Sequence, residues 1–193
     1  MKIGIIGKGN VGTALATGLI RTGHVVRFGH RAPEEPVTAA AEWGELLILA
    51  VPYPAVNSVV HEIGSAADGK VLIDVTNPLT RDMELAIGFS TSNAEEIQKM
   101  LPDALVVKAF NTVFAKNQSA GRVANHQLTA FIAGNSQDAK KTVMRLTEEM
   151  GYDPVDVGDL KSARYLEPMG IMIIGMAFRL GMGTDIGYRL LRG

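Results

Sequence analysis

Cysteine is absent from the 193 residues. Zinc clusters, thiol catalysis and disulfide frameworks are excluded with it, and the absence agrees with a reducing compartment, so a cytoplasmic location is expected. Long apolar runs are missing too. The opening "MKIGIIGKGN" loses its apolar character at Gly7, too early for the hydrophobic region of a signal peptide. The stretch "PMGIMIIGMAF" (Pro168 to Phe178) falls well short of the roughly 20 residues a bilayer requires. Neither sign of charge is in excess. With 19 Lys and Arg against 20 Asp and Glu, the net charge of -1 argues against nucleic acid or an anionic membrane as the main partner. No G-x-S-x-G nucleophile turn, H-E-x-x-H metal site or Walker loop occurs, so neither a hydrolase triad of that type nor a metal centre is expected.

What is present is an alternation. "KIGIIG" reads as a strand, "NVGTALATGLIRTG" as a helix closed by Gly23, "VVRFG" as a strand and "EPVTAAAEWG" as a short helix. The apolar runs "ELLILAV" and "KVLIDV" flank the helical "PAVNSVVHEIG". Further on come "SNAEEIQKML" (helix), "ALVVKAF" and "QLTAFIAG" (strands), "SQDAKKTVMRLTEEMG" (helix) and "DPVDVG" (strand). Short apolar runs that do not alternate with polar residues indicate strands buried on both faces, and interleaving them with helices implies a covered parallel sheet. The expected class is α/β, a Rossmann-type doubly wound and mostly parallel sheet with a short C-terminal helical segment. The expected division is 1-158 for the dinucleotide-binding domain and 159-193 for the helical segment, which starts with a cap at Asp159, meets Pro168 and resumes. That last stretch is apolar on nearly every side, so it must be covered by this chain or by a second copy in a homodimer.

The first strand runs straight into "GKGNVG", which places Gly7, Gly9 and Gly12 in the G-x-G-x-x-G spacing at the start of a helix. Gly7 allows the tight turn, Gly9 leaves room for a pyrophosphate and Gly12 lets the helix pack on the strand. The pyrophosphate then lies where unpaired N–H groups and the helix dipole favour anions. An NAD-binding version carries Asp or Glu at the end of the second strand, about 20 residues on, to accept from the ribose hydroxyls. Here "VVRFG" is followed by His30 and Arg31. A carboxylate there would repel a 2'-phosphate, whereas the Arg31 guanidinium can grip it through two charge-assisted bonds and His30 can add a donor or stack on adenine. The expected cofactor is therefore NADP(H). Glu34 and Glu35 lie close by and count slightly against this, but they follow Pro33 and can point to water.

The segments "GKGNVGTALA", "FGHRAPE", "AVPYPAV", "LIDVTNPL", "SNAEEIQKMLPDALVVKAFNTVFA" and "DVGDLKSARYLEPM" together resemble the NADPH-dependent reductases of the deazaflavin coenzyme F420. They are also similar to the cytosolic NADPH domain of the STEAP metalloreductases. The resemblance spans nearly the whole chain. It implies that Asn10 and Val11 contact the pyrophosphate, and that His30 with Arg31 stands at the Ser-Arg pair on the 2'-phosphate. It implies that Val51, Pro52 and Tyr53 border the cofactor, and that Asn77, Pro78, Ala109, Phe110 and Asn111 enclose the nicotinamide side. Gly181, Met182 and Gly183, within "GMGTDIG", would shape the acceptor pocket. The implied reaction is hydride transfer between NADPH and a deazaflavin or flavin such as F420. An NADPH-dependent flavin or ferric reductase, or a non-catalytic module that senses NADPH, remains open beside it.

Hydride transfer between two rings needs little side-chain chemistry, because the cofactors carry the reactive atoms and the protein aligns them. No catalytic side chain is therefore singled out. Asp74, at the end of "LIDV", can relay a proton or pin the Thr76–Asn77 turn, and buried polar groups need partners, which favours the pin. Met169, Met172 and Met176 form one stripe, either packing in the core or a dimer, or framing a slot for a planar ring.

Overall fold

A computed structural model of the chain describes all 193 residues. The elements are β1 (Lys2–Ile6), α1 (Asn10–Arg21), β2 (Val25–Gly29), α2 (Val37–Trp43), β3 (Leu46–Leu49), α3 (Val56–Ile63), β4 (Val71–Asp74) and α4 (Asn93–Met100). They continue with β5 (Leu105–Lys108), α5 (Ala115–Gln118), β6 (Arg122–Val123), β7 (His126–Gln127), β8 (Thr129–Gly134), α6 (Gln137–Met150), β9 (Asp153–Asp156) and α7 (Ala163–Phe178).

The main sheet has the order β2-β1-β3-β4-β5-β8-β9. Strands β1 to β5 run parallel, as the largely apolar sequences of β1, β3, β4 and β5 imply. Within β3, Leu46 and Ile48 face one core with Leu15, Leu19, Val143 and Leu146, while Leu47 and Leu49 face the other with Ala40, Val60 and Ile97. Helices α1 and α6 thus cover one face, and α2, α3 and α4 the other. Each fully buried leucine or isoleucine contributes about 1.5–3 kcal/mol of transfer free energy. The chain leaves β1 toward β2 on one side and returns over β1 to β3, so the crevice between the carboxyl ends of β1 and β3 is the topological switch point, where open α/β sheets bind ligands.

Two features depart from a purely parallel reading. Strand β8 runs antiparallel to β5, joined to it through α5 and the small β6–β7 hairpin. In addition, Pro168 lies inside an unbroken α7. A proline there removes one helical hydrogen bond and clashes with the preceding turn, a cost of about 3 kcal/mol. The turn is tied down from outside: Asn111 Nδ2 donates to the Leu166 carbonyl at 2.7 Å, and the Asn93 and Ala94 N–H groups donate to the Glu167 carboxylate at 2.9 and 3.2 Å. The Asp159 side chain makes no capping bond; it precedes a single 3-10 turn, and α7 starts only at Ala163. No helix is long and apolar enough to cross a membrane.

Candidate functional site

The glycine loop folds as its spacing requires. Gly7 has φ +114°, and a side chain there would strike the Ala50 carbonyl. A side chain at Gly12 would strike the Gly7 carbonyl, whereas nothing lies within 4 Å of the Cβ position of Gly9. The loop is thus tight where helix meets strand and open where a ligand would come. Helix α1 begins without a side-chain cap and without an acid in its first turn, leaving its N–H groups and dipole uncompensated. A cavity of about 640 Å³ opens at the switch point, lined by Gly7 and Gly9, by His30 and Arg31 after β2, and by Val51 and Pro52 after β3. Asn10 lies instead on a neighbouring groove between α1 and α5. Val11 is half-buried against the core and Gly12 is buried. Tyr53 opens the 3-10 turn before α3 and packs on the core of that face; burial, then the charges of Glu167 and Glu96, push its hydroxyl pKa up.

The loop after β2 differs from expectation at one residue. Glu35 does not point to water. Its carboxylate takes hydrogen bonds from Lys8 Nζ at 3.0 and 2.7 Å and meets His30 Nε2. His30 Nδ1 accepts from the Ala32 N–H at 3.2 Å, so both ring nitrogens are engaged. Arg31 is exposed on the cavity and stands outside these ion pairs.

On the far side of the switch point, Asn77 and Asn111 are joined reciprocally. Asn77 Nδ2 donates to the Asn111 carbonyl at 2.8 Å, and Asn111 Nδ2 donates to Asn77 Oδ1 at 3.0 Å. Helix α7 lies on this pair at Gly170, where a Cβ would collide with the Asn77 Oδ1 and come 3.0 Å from Asn111 Nδ2. Next to Asn111 in the turn after β5, Phe110 holds φ +64°, a left-handed conformation that costs a non-glycine residue about 1–3 kcal/mol. Its carbonyl accepts from Gln118 Nε2 at 2.9 Å, and its ring meets Tyr152 edge-on at 5.6 Å. Pro78 and Ala109 are buried beneath these turns and, like the asparagines, do not line the cavity itself.

Under the turns sits a charged cluster that was not expected. Lys108, Asp74 and Glu167 are all fully buried; Lys108 Nζ lies 2.8 Å from Asp74 Oδ2, 2.9 Å from Glu167 Oε1 and 2.6 Å from the Thr76 carbonyl. Asp74 Oδ1 accepts from the Thr76 N–H and hydroxyl at 2.9 and 2.7 Å, so it pins that turn. Burial pushes the Lys108 ammonium down, but the facing carboxylates of Asp74 and Glu167 outweigh it and hold its pKa above the usual value. Burial also raises the Glu167 carboxyl, against the pull of Lys108. The single clue in the sequence was a lysine inside the apolar run "ALVVKAF".

Gly181, Met182 and Gly183 are exposed just past α7 and are not brought into the cavity. The Met182 and Gly183 N–H groups bond the Met176 and Ala177 carbonyls, and the next residues attach to α5 through Lys116–Asp185 at 2.6 Å and Asn117 to the Thr184 carbonyl at 3.0 Å. Of these later residues, Asp185 thus reaches Lys116, which lines the groove of Asn10 and Thr13. In the methionine stripe, Met172 is 55% exposed, so that residue packs in no core of this chain.

A glycine-loop crevice at the switch point of a doubly wound sheet defines the class of dinucleotide-binding proteins. Residues 2–44 match the family model described as NADP oxidoreductase, coenzyme F420-dependent. An F420-dependent NADP reductase of Methanothermobacter marburgensis is 30% identical, over 91% of this chain and 92% of that protein. The chain belongs to the F420-dependent NADP reductase family, a family of NADP-dependent oxidoreductases. Metalloreductase STEAP3 of Rattus norvegicus is 33% identical over 90% of this chain, which spans only 37% of that longer protein. A crystal structure from Arthrobacter sp. FB24, proposed to be an F420-dependent NADP reductase, superposes with a TM-score of 0.91 at 28% identity over the full length of both chains.

Proposed function

We propose that this chain binds NADP(H) across the switch-point crevice and exchanges a hydride with a deazaflavin or flavin such as F420. In this reading Gly7, Gly9, Asn10, Val11 and Gly12 hold the pyrophosphate, and His30 and Arg31 the 2'-phosphate. Val51, Pro52 and Tyr53 flank the cofactor, and Asn77, Pro78, Ala109 and Asn111 frame the nicotinamide end. Residues 159-193, with Gly181, Met182 and Gly183, shape the acceptor side of the unit formed by 1-158. The observation that carries the reading is Arg31: it lines the cavity from the loop after β2, and the ion pairs of that loop leave it uncommitted. When bound, the nicotinamide would supply the ring carbon that gives up or takes the hydride. The chain supplies alignment through two fixed turns, Asn77 and Asn111, and a helix laid against them.

The test is stopped-flow NADPH oxidation with F420, FMN and FAD. Saturable turnover with F420 is expected, and oxidation of NADPH by none of the three would refute the hydride-transfer reading. Preference for free flavin, or for a ferric chelate in its presence, would instead favour a flavin or ferric reductase, the alternative suggested by the 33% identity to STEAP3. Arg31→Ala should weaken NADPH binding by about tenfold to a hundredfold while leaving NADH nearly unchanged, the value of one charge-assisted bond. Equal losses in a fluorescence titration of the two cofactors would remove the assignment.

A further inference from the structure

One side chain, Glu35, bonds two residues that line the cavity, Lys8 and His30, and has the wrong sign for the ligand proposed above. Both oxygens of Glu35 engage Lys8, and Oε2 also meets His30. The backbone holds the carboxylate in place, because the His30 N–H donates to the Glu35 carbonyl at 2.8 Å and the Glu35 N–H donates to the Ala32 carbonyl at 3.0 Å. Lys8 is steadied from below by the Phe28 ring, 5.4 Å away. The carboxylate therefore sits between the glycine loop and the end of β2, beside residues 29–33, which line the cavity. Hydrogen bonds from Lys8 and then His30 hold its pKa below the usual carboxylate range, so it is anionic at neutral pH. To an ammonium and an imidazole, a carboxylate and a phosphate monoester are equivalent guests, each offering anionic oxygens at charge-assisted bonding distance.

We propose that Glu35 is a built-in counter-anion and a specificity-determining residue: it occupies Lys8 and His30 while the cavity is empty and yields them to the 2'-phosphate when NADP(H) enters. The proposal rests on the NADP(H) reading and adds a residue that works against Arg31. NADP(H) must break the Glu35 contacts in order to bind. NAD(H) leaves them intact, and its ribose hydroxyl can donate to the same carboxylate. Glu35 thus narrows the preference that Arg31 creates.

The experiment is a titration of wild type and Glu35→Gln with NADPH, NADH, 2',5'-ADP and 5'-AMP, each protein first shown by thermal melting to be folded. Glu35→Gln should bind NADPH and 2',5'-ADP roughly three- to tenfold more tightly, the range that two surface ion pairs are worth, with no gain for NADH or 5'-AMP. A residue that merely staples the loop would give the reverse, weaker binding of all four. If wild type prefers NADPH and the variant does not widen that preference, the proposal is overturned while the cofactor reading stands. If wild type shows no preference but the variant acquires one, the role of Glu35 holds and the wild-type cofactor assignment fails. Binding of none of the four by either protein overturns both.

Discussion

Substituting Lys108 by methionine would leave Asp74 and Glu167 buried with no ammonium between them. Removing one partner from a buried ionic group costs about 3–5 kcal/mol, because the remaining charge has no water to turn to. Lys108→Met should lose that much stability in urea unfolding, and the double variant with Asp74→Asn should lose less than the sum of the single changes. Additive losses would mean that the cluster does not act as a unit. The pinning role of Asp74 was legible in the sequence, because an acid at a strand end followed by Val-Thr-Asn bonds locally. Its partnership with Lys108 and Glu167 was not legible, because the lysine comes from the neighbouring strand and the second acid from a helix far along the chain. Glu35 misled for a related reason: Pro33 suggested a loop turned outward, and only the backbone bonds with His30 and Ala32 fold it back.

At the scale of elements, α7 shows two local preferences overruled by packing. Alanine at Gly170 would raise intrinsic helix propensity by about 1 kcal/mol. The added methyl group, however, meets the Asn77 amide oxygen and the Asn111 nitrogen, which are locked to one another and cannot retreat. Overpacking of that kind costs about 1–3 kcal/mol, so the collision should win. Gly170→Ala is expected to lower the melting temperature and to impair acceptor turnover more than NADPH binding; a rise in melting temperature would show that α7 rides loosely. The helix–strand alternation of the main sheet was readable from the apolar runs, including the glycine loop at its place between β1 and α1, whereas α5 and the β6–β7 hairpin were not. The direction of β8 was not, since "QLTAFIAG" pairs equally well either way and the intervening α5 and β6–β7 hairpin decide it. The continuity of α7 through Pro168 was equally hidden, because the bonds that hold it come from Asn93, Ala94 and Asn111.

For the whole molecule, the last helix carries an exposed apolar pair one above the other, Tyr165 at 64% and Met172 at 55%, with Phe178 and Leu180 exposed at its end. Such a surface suits a second copy of the chain, the homodimer that we propose, and analytical ultracentrifugation should find a dimer that Met172→Asp converts to monomer. A monomeric wild type at micromolar concentration would leave that face for another partner. The crevice also has a consequence in time. Its lining comes entirely from residues 6 to 62, whereas the helix resting on Asn77 and Asn111 begins at Ala163. With roughly a hundred residues between them, translated at about 5–20 per second, the nascent polypeptide exposes the adenosine-side walls some 5–20 seconds before the opposite flank leaves the ribosome.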